Sequence, residues 1–200
     1  MKIDKFNEIF QKAIADYHVK DDINQAMVNP YAAFDALLYK KCWIDTVQWH
    51  LEDLIRDPEI NPEDALKIKR KIDKLNQERT DLVELIDDFL YDEYKNVEVR
   101  KDARMNTETP GWAIDRLSIL NLKLYHWKEE AERQDASEEH KQKAKDKLAI
   151  LYQQYEYLTI AIEQLLEDLQ NGKAIAKTYK QMKMYNDPEL NPVLRKHSQK

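Results

Sequence analysis

Glycine and cysteine are almost absent from this chain. Only two of its 200 residues are glycine, and Cys42 is its single cysteine. One cysteine excludes an internal disulfide and a metal site built from several thiolates, and it fits a reducing compartment. The sequence also lacks a glycine-rich phosphate loop, a Gly-x-Ser-x-Gly element and a His-Glu-x-x-His element. The common signatures of nucleotide hydrolysis, serine hydrolysis and zinc proteolysis are therefore missing.

Long apolar runs are missing as well. No stretch approaches the roughly 20 apolar residues that cross a bilayer, so we expect no membrane span. Residues 1–16 carry scattered charges and no apolar centre, which is unlike a signal peptide, and a cytoplasmic location is predicted.

The net charge of −6 is unevenly distributed. Residues 173–200 carry a net charge of +5, which leaves −11 on the rest of the chain. A basic segment can bind nucleic acid or anionic lipid, but no basic patch with regularly interleaved aromatic residues supports nucleic-acid binding here. We therefore expect no nucleic-acid partner, and a basic strap that packs on the acidic body or is solvated.

Abundant charged residues and apolar residues at three- and four-residue spacing predict an all-α protein. Asn29-Pro30, Asn61-Pro62 and Thr109-Pro110 each place a capping residue before a helix-starting proline, and Asn171-Gly172 is a helix stop. The predicted helices cover about 3–27 with a break near 20–22, 30–57, 62–97, 110–134, 138–171 and a shorter 173–185. We expect one domain over 1–200: an N-terminal helix (1–28), a core bundle (30–171) and a basic C-terminal strap (173–200).

The predicted architecture is an elongated antiparallel bundle of five to six helices, because the connections are short. Ile44-Asp45 and Ile114-Asp115 lie near the starts of two long helices, 70 residues apart. Two pseudo-repeated helical hairpins would explain this pattern, although Ile-Asp is a common dipeptide.

Arg79 interrupts an apolar helical stripe between Leu75 and Leu82. A guanidinium group there needs a partner or a cavity, and Asp45 and Asp115 are candidate partners from neighbouring helices. One interpretation is a buried ion pair that fixes the packing of the helices. The other is a fork that binds a carboxylate or phosphate group.

His50 and His126 are predicted on the inner faces of their helices, beside Trp49 and Trp127. Histidines and carboxylates on facing helices can hold a metal ion, but the Glu-x-x-His order of di-iron bundles is absent. Hydrogen-bonded, mostly buried histidines are the favoured interpretation. We predict no metal and no cofactor.

The loop 106–112 concentrates polar side chains in front of a helix. Thr109 is its expected cap, and free amides at a helix start can bind an anion. Glu108, Trp112 and Arg116 are therefore candidate ligand-binding residues in addition to the histidines and to Asp45, Trp49, Arg79 and Asp115.

The segments 42–53, 79–81, 106–112 and 182–188 together resemble the bacterial domain of unknown function 4254. The resemblance covers about residues 30–195 and implies a protein of this length, typical of Bacteroides-type bacteria, with no established activity. It also implies an association with cell-envelope glycan gene sets. A fainter similarity of residues 72–86 to the opening helix of helical chorismate mutases is shared by many amphipathic helices.

Three functional hypotheses follow. The leading one is a non-enzymatic protein that binds a small ligand or a protein partner, in service of envelope glycan assembly. The alternative is an enzyme that acts on an anionic small substrate, with its site between the second, third and fourth helices. His50 or His126 would be the general base, Glu108 or Asp115 the acid or orienting group, and Arg79 or Arg116 would hold the anion. The third is a homodimer in which long apolar stripes complete their burial in a second copy.

Overall fold

The part of the chain that the structure describes contains six α-helices and no β-strand. The computed structural model describes residues 2–198. Met1 at the start of the predicted domain, and Gln199 and Lys200 at the end of its basic strap, lie outside the described residues. The helices are α1 (Ile3–His18), α2 (Ala33–Leu54), α3 (Pro62–Tyr94), α4 (Pro110–Glu132), α5 (Glu138–Gln170) and α6 (Pro192–Ser198). The predicted all-α bundle is confirmed.

Two helix starts follow the local capping chemistry of the sequence. The Asn61 side chain accepts a hydrogen bond from the Glu63 amide at 2.8 Å in front of Pro62, and the Ser137 hydroxyl accepts one from the His140 amide at 3.2 Å. Both caps satisfy amides that have no partner within the helix. α3 and α5 therefore begin where the sequence predicted.

The predicted start of the second helix at Pro30 is wrong. Asn29 Oδ1 accepts a hydrogen bond from the Tyr31 amide at 3.0 Å, and Asn29 Nδ2 donates to the Ala36 carbonyl at 2.9 Å. These bonds hold the segment in a turn, and α2 begins at Ala33, whose φ is +50°. Asparagine side chains bond nearby backbone in this way in competition with helix formation.

α1 is shorter than the predicted first helix. It ends at His18, and Asp21 has a φ of +51°, near the break expected at residues 20–22. The Gln25 side chain donates to the Tyr17 carbonyl at 2.8 Å and folds the connection back against the helix end. This early end brings His18 beside α2 and α4.

α4 lies at the centre of the bundle, because it contacts α1, α2, α3 and α5. α2 packs on α3 and α4 packs on α5, so the chain contains two helical hairpins. α4 also contacts α2 and α3 and thereby packs one hairpin on the other, while α1 packs mainly on α2 and α4. The central position of α4 is reflected in its buried apolar side chains, Ala113, Ile114, Leu117, Leu120 and Leu122.

Among the described residues, no helix has both the length and the apolar character needed to cross a bilayer.

The predicted helix over 173–185 is wrong, because residues 171–191, which include most of the strap, form an irregular segment. Gly172 ends α5 as predicted, with a φ of +65°, and a Cβ at this position would overlap the Glu98 carbonyl. The strap then pairs with residues 100–104, where the Arg104 amide donates to the Lys173 carbonyl at 2.9 Å. A predicted short helix is thereby replaced by backbone pairing with a distant loop.

Further on, the strap runs along α3 toward the start of that helix. Lys180 Nζ lies 2.8 Å from the Asp88 carboxylate, the Gln181 amide donates to Glu84 at 2.8 Å, and Lys183 Nζ donates to the Thr80 hydroxyl at 2.6 Å. This part of the strap thus packs on the acidic body.

Candidate functional site

Lys41 is a fully buried charged residue at the centre of the bundle. Its Nζ lies 2.5 Å from Asp45 Oδ2 and 2.8 Å from Asp115 Oδ1, and it also donates to the Asp115 carbonyl at 3.0 Å. The Ser118 hydroxyl donates to Asp45 Oδ2 at 2.7 Å. The two Ile-Asp dipeptides that suggested a repeat therefore meet at one lysine, which the sequence did not indicate.

Electrostatics keep Lys41 charged. Burial alone would lower the pKa of Lys41, but the charges of Asp45 and Asp115 outweigh it and raise that pKa. Burial raises the pKa of Asp45, against the opposing charge of Lys41. Two carboxylates and one ammonium leave one negative charge, and Arg79 Nη1 stands 3.9 Å from Asp115 Oδ1, where it can balance that charge.

A cleft of about 310 Å³ opens beside this buried cluster, between α2, α3 and α4. Its size is at the lower end of small-molecule sites. The lining consists of Asp45, Gln48, Trp49, Glu52, Asp53, Arg56, Arg79, Ile119 and Leu122.

Three lining residues of the cleft carry buried polar atoms without a hydrogen-bond partner among the described residues. They are Asp45 Oδ1, Gln48 Oε1 and Arg79 Nε. A buried polar atom without a partner costs about 1–3 kcal/mol, so three in one cleft are unusual. At the rim, Arg56 and Glu52 pair at 2.6 Å, with 67% and 40% of their side chains exposed.

Three histidines gather behind the Trp49 wall of the cleft. His50 Nε2 lies 3.2 Å from His18 Nε2, and the Trp49 ring stacks on the His126 ring at a centroid distance of 4.8 Å. His126 Nδ1 lies 2.9 Å from Glu129 Oε2. Burial lowers the pKa of both His50 and His126. The sequence singled out these two residues but missed His18, which no helical stripe marked because it is the last residue of α1.

Asp87 of α3, which the sequence did not suggest, binds the loop 106–112 at the start of α4. Asp87 Oδ1 accepts from the Gly111 amide at 2.6 Å, and its Oδ2 accepts from the Thr109 hydroxyl. Thr109 makes no capping bond of its own, so Asp87 takes up an amide of the α4 N-terminus. A Cβ on Gly111 would lie 2.5 Å from Asp87 Oδ1 and 2.8 Å from the Val83 carbonyl, which explains the glycine.

The remaining candidates of this loop lie outside the cleft. Glu108 and Arg116 pair at 3.0 Å on the surface, with more than two fifths of each side chain exposed. Trp112 is half-buried. Arg116 instead borders a groove of about 570 Å³ between α4 and α5, next to Ile119. A ligand-facing role for the loop stays a prediction.

The candidates thus fall into three groups. Asp45, Trp49 and Arg79 line the cleft, and Asp115 lies directly behind it. His50 and His126 belong to the histidine cluster, and Glu108, Trp112 and Arg116 belong to the start of α4.

Comparison with known proteins gives a family but no activity. No curated protein and no solved structure matches the chain. A family described as "Protein of unknown function (DUF4254)" matches residues 35–178, which span almost all of α2 and the whole of α3, α4 and α5. Since this match covers well over half of the sequence, the chain belongs to that family of proteins of unknown function.

Proposed function

We propose that this protein binds a small, hydroxyl-rich ligand in the cleft between α2, α3 and α4, without chemical conversion. The observation that carries the proposal is the set of unpartnered buried atoms on Asp45, Gln48 and Arg79. A ligand that supplies the missing hydrogen bonds recovers the free energy that these atoms cost in the free protein.

The type of each atom narrows the ligand chemistry. Asp45 Oδ1 and Gln48 Oε1 accept hydrogen bonds, whereas Arg79 Nε donates one. A hydroxyl group can donate to the first two and accept from the third, so vicinal hydroxyl groups satisfy all three. Ile119 and Leu122 supply apolar surface for the carbon skeleton. A monosaccharide unit has this combination, which also agrees with the envelope-glycan association that the family resemblance implies.

A thermal-shift screen against monosaccharides, nucleotide-sugars and short glycans tests the proposal. A ligand at 100 times its Kd adds about 2.7 kcal/mol to the free energy of unfolding, which raises Tm by several degrees. Arg79→Gln and Gln48→Leu should abolish the shift. Arg70→Gln is the matched control, because Arg70 is an exposed residue of the same helix as Arg79. A silent panel, or a shift that Arg79→Gln leaves intact, would refute the proposal.

A second candidate function is an enzyme that acts on an anionic small substrate. It is favoured by His126, a half-buried imidazole with a carboxylate partner behind the Trp49 wall of the cleft. A general base needs such an orienting partner. Proton NMR of any ligand found in the screen would show conversion over time, and His126→Gln should stop it. An unchanged ligand spectrum with wild-type protein would show that the protein binds the ligand without converting it.

A further inference from the structure

Three histidines from three different helices present their rings to one point. His18 ends α1, His50 lies on α2 and His126 lies on α4, and one ring nitrogen from each lies within 4.8 Å of those of the other two. The closest pair is His18 Nε2 and His50 Nε2 at 3.2 Å. Residues 108 positions apart in the chain meet here only because the bundle folds.

Hydrogen bonds fix which nitrogen of two of these rings carries a lone pair. His18 Nδ1 lies 2.7 Å from the Ile14 carbonyl, which can only accept, so Nδ1 carries the proton and Nε2 the lone pair of the neutral ring. His126 Nδ1 lies 2.9 Å from the Glu129 carboxylate, with the same consequence. His126 Nε2 is buried and has no hydrogen-bond partner among the described residues.

Although the sequence predicted no metal, we propose that Nε2 of His18, His50 and His126 bind one divalent transition-metal ion, of which Zn²⁺ is the best match. Zinc takes neutral imidazole nitrogens at about 2.0–2.1 Å in a tetrahedron, which places ligand atoms roughly 3.3 Å apart. The His18–His50 distance of 3.2 Å already has this value. The Nδ1 contacts of His18 and His126 are the partners that orient metal-binding imidazoles, a carbonyl in one case and a carboxylate in the other.

The surroundings hold the rings in place. Tyr17 stacks on His50 at 5.0 Å, Tyr125 stacks on His18 at 4.3 Å, and Trp49 stacks on His126 at 4.8 Å. Three rings fixed in this way lose little freedom when an ion binds.

Asp21 is the candidate for the fourth ligand. Its Oδ1 lies 3.5 Å from His50 Nε2, and its side chain is 58% exposed. A φ of +51° at Asp21 turns the chain at the end of α1. A carboxylate completes a four-coordinate zinc site with three imidazoles. The site differs from the ligand cleft, although Trp49 borders both, so the two proposals stand or fall separately.

Metal titration of the untagged protein tests the site. After treatment with a chelator, the protein is titrated with Zn²⁺ by calorimetry and with Co²⁺ by visible absorption. We expect one equivalent of tight binding for the wild type, and a loss of more than about 100-fold in affinity for His18→Gln and His126→Gln, which remove ligands outright. Glu129→Gln, which changes only an orienting partner, should lose about 10- to 100-fold. Asp21→Asn should weaken binding less than loss of a histidine does.

Matched controls make the result decisive. His140→Gln should bind metal like the wild type, since His140 pairs with Glu130 away from the cluster. Arg79→Gln should also bind metal normally while it loses the cleft ligand, which separates this inference from the proposed function. No tight equivalent in the wild type, or equal affinity in His126→Gln and His140→Gln, would overturn the proposal. If a histidine variant fails to fold by circular dichroism, Glu129→Gln decides, because the Glu129 side chain is 52% exposed.

Discussion

Lys41 is the residue on which the buried charges of the bundle depend. Its ammonium group is the nearest positive charge to both Asp45 and Asp115, and none of the three side chains is more than 6% exposed. Removal of one partner from a buried ion cluster leaves charge without compensation, whereas removal of all the charges does not. The two cases can be separated by mutation.

Lys41→Met should lower the free energy of unfolding by about 3–5 kcal/mol, because it strands two carboxylates in the interior. The triple variant with Lys41→Met, Asp45→Asn and Asp115→Asn should lose less than the single variant. Urea denaturation of both at one pH measures the difference. A triple variant that is less stable than Lys41→Met would contradict this account, because it would mean that Asp45 and Asp115 do not destabilise the interior without Lys41.

Asp87 gives a pH dependence whose sign can be worked out. Burial raises its pKa from 3.8 to about 6, despite the hydrogen bonds from Thr109 and the Gly111 amide. Because the folded pKa lies above the unfolded one, the folded chain binds this proton more tightly. The contribution of Asp87 to stability is therefore fully present below about pH 4 and is lost as the pH rises through about 6.

Asp87→Asn provides the comparison, since it keeps an acceptor for the Gly111 amide and cannot titrate. The unfolding free energy of the wild type minus that of the variant should fall between about pH 4 and pH 6 and be constant above. Urea unfolding of both proteins across this range measures it. A difference that rises with pH would show that the hydrogen bonds to the carboxylate outweigh its burial.

Residues of the site were predictable where a polar group broke an apolar pattern. Arg79 stood out within a helical stripe, and Asp45 and Asp115 were its expected neighbours. Lys41 escaped notice because lysine is almost always exposed, so a lysine in a helix carries no signal of burial. Asp87 and His18 were not predicted, because their partners lie far away in the sequence and no local sequence pattern indicates such contacts.

At the scale of elements, helix starts were predictable where the cap is a local contact. Asn61 and Ser137 bond amides two and three residues ahead, and α3 and α5 begin accordingly. The strap was misread as a helix because Ala, Lys, Gln and Met favour helices. Its backbone and lysines instead pair with residues 100–104 and with α3, and such tertiary contacts override a weak preference.

Charge holds the strap on α3, and its detachment can be measured. Lys180→Glu places a negative charge against Glu84 and Asp88, which now pair with the lysine. Such exposed pairs contribute about 1 kcal/mol or less, so reversal should raise the population of detached strap roughly fivefold and leave global stability nearly unchanged.

Chymotrypsin cleavage after Tyr185, an exposed residue of the strap, measures that population. Lys196→Glu is the control, because it makes the same change in net charge at a residue that lies beyond the contact with α3. Equal cleavage rates for the two variants would show that backbone contacts, and not charge, hold the strap.

At the scale of the whole molecule, the open question is whether α1 folds as one unit with the rest. The family match begins at residue 35 and leaves α1 outside. Yet Phe6, Phe10 and Tyr17 of α1 are fully buried, and Cys42 Sγ of α2 contacts the Phe10 carbonyl at 3.5 Å. Large apolar side chains buried between elements make those elements unfold together, so we predict a single cooperative domain.

Phe10→Ala tests this cooperativity, because all four tryptophans lie on α2 and α4 and none on α1. The change should cost about 3–5 kcal/mol through lost burial and the cavity left behind. If the chain is one domain, tryptophan fluorescence and far-ultraviolet circular dichroism will report the same transition, shifted to lower urea by the same amount. Leu66→Ala, at an exposed position of α3, should shift neither probe. A fluorescence midpoint unmoved by Phe10→Ala, with only partial loss of helical signal, would mean that α1 unfolds by itself and that the histidine cluster, which needs His18, can open without the rest of the bundle.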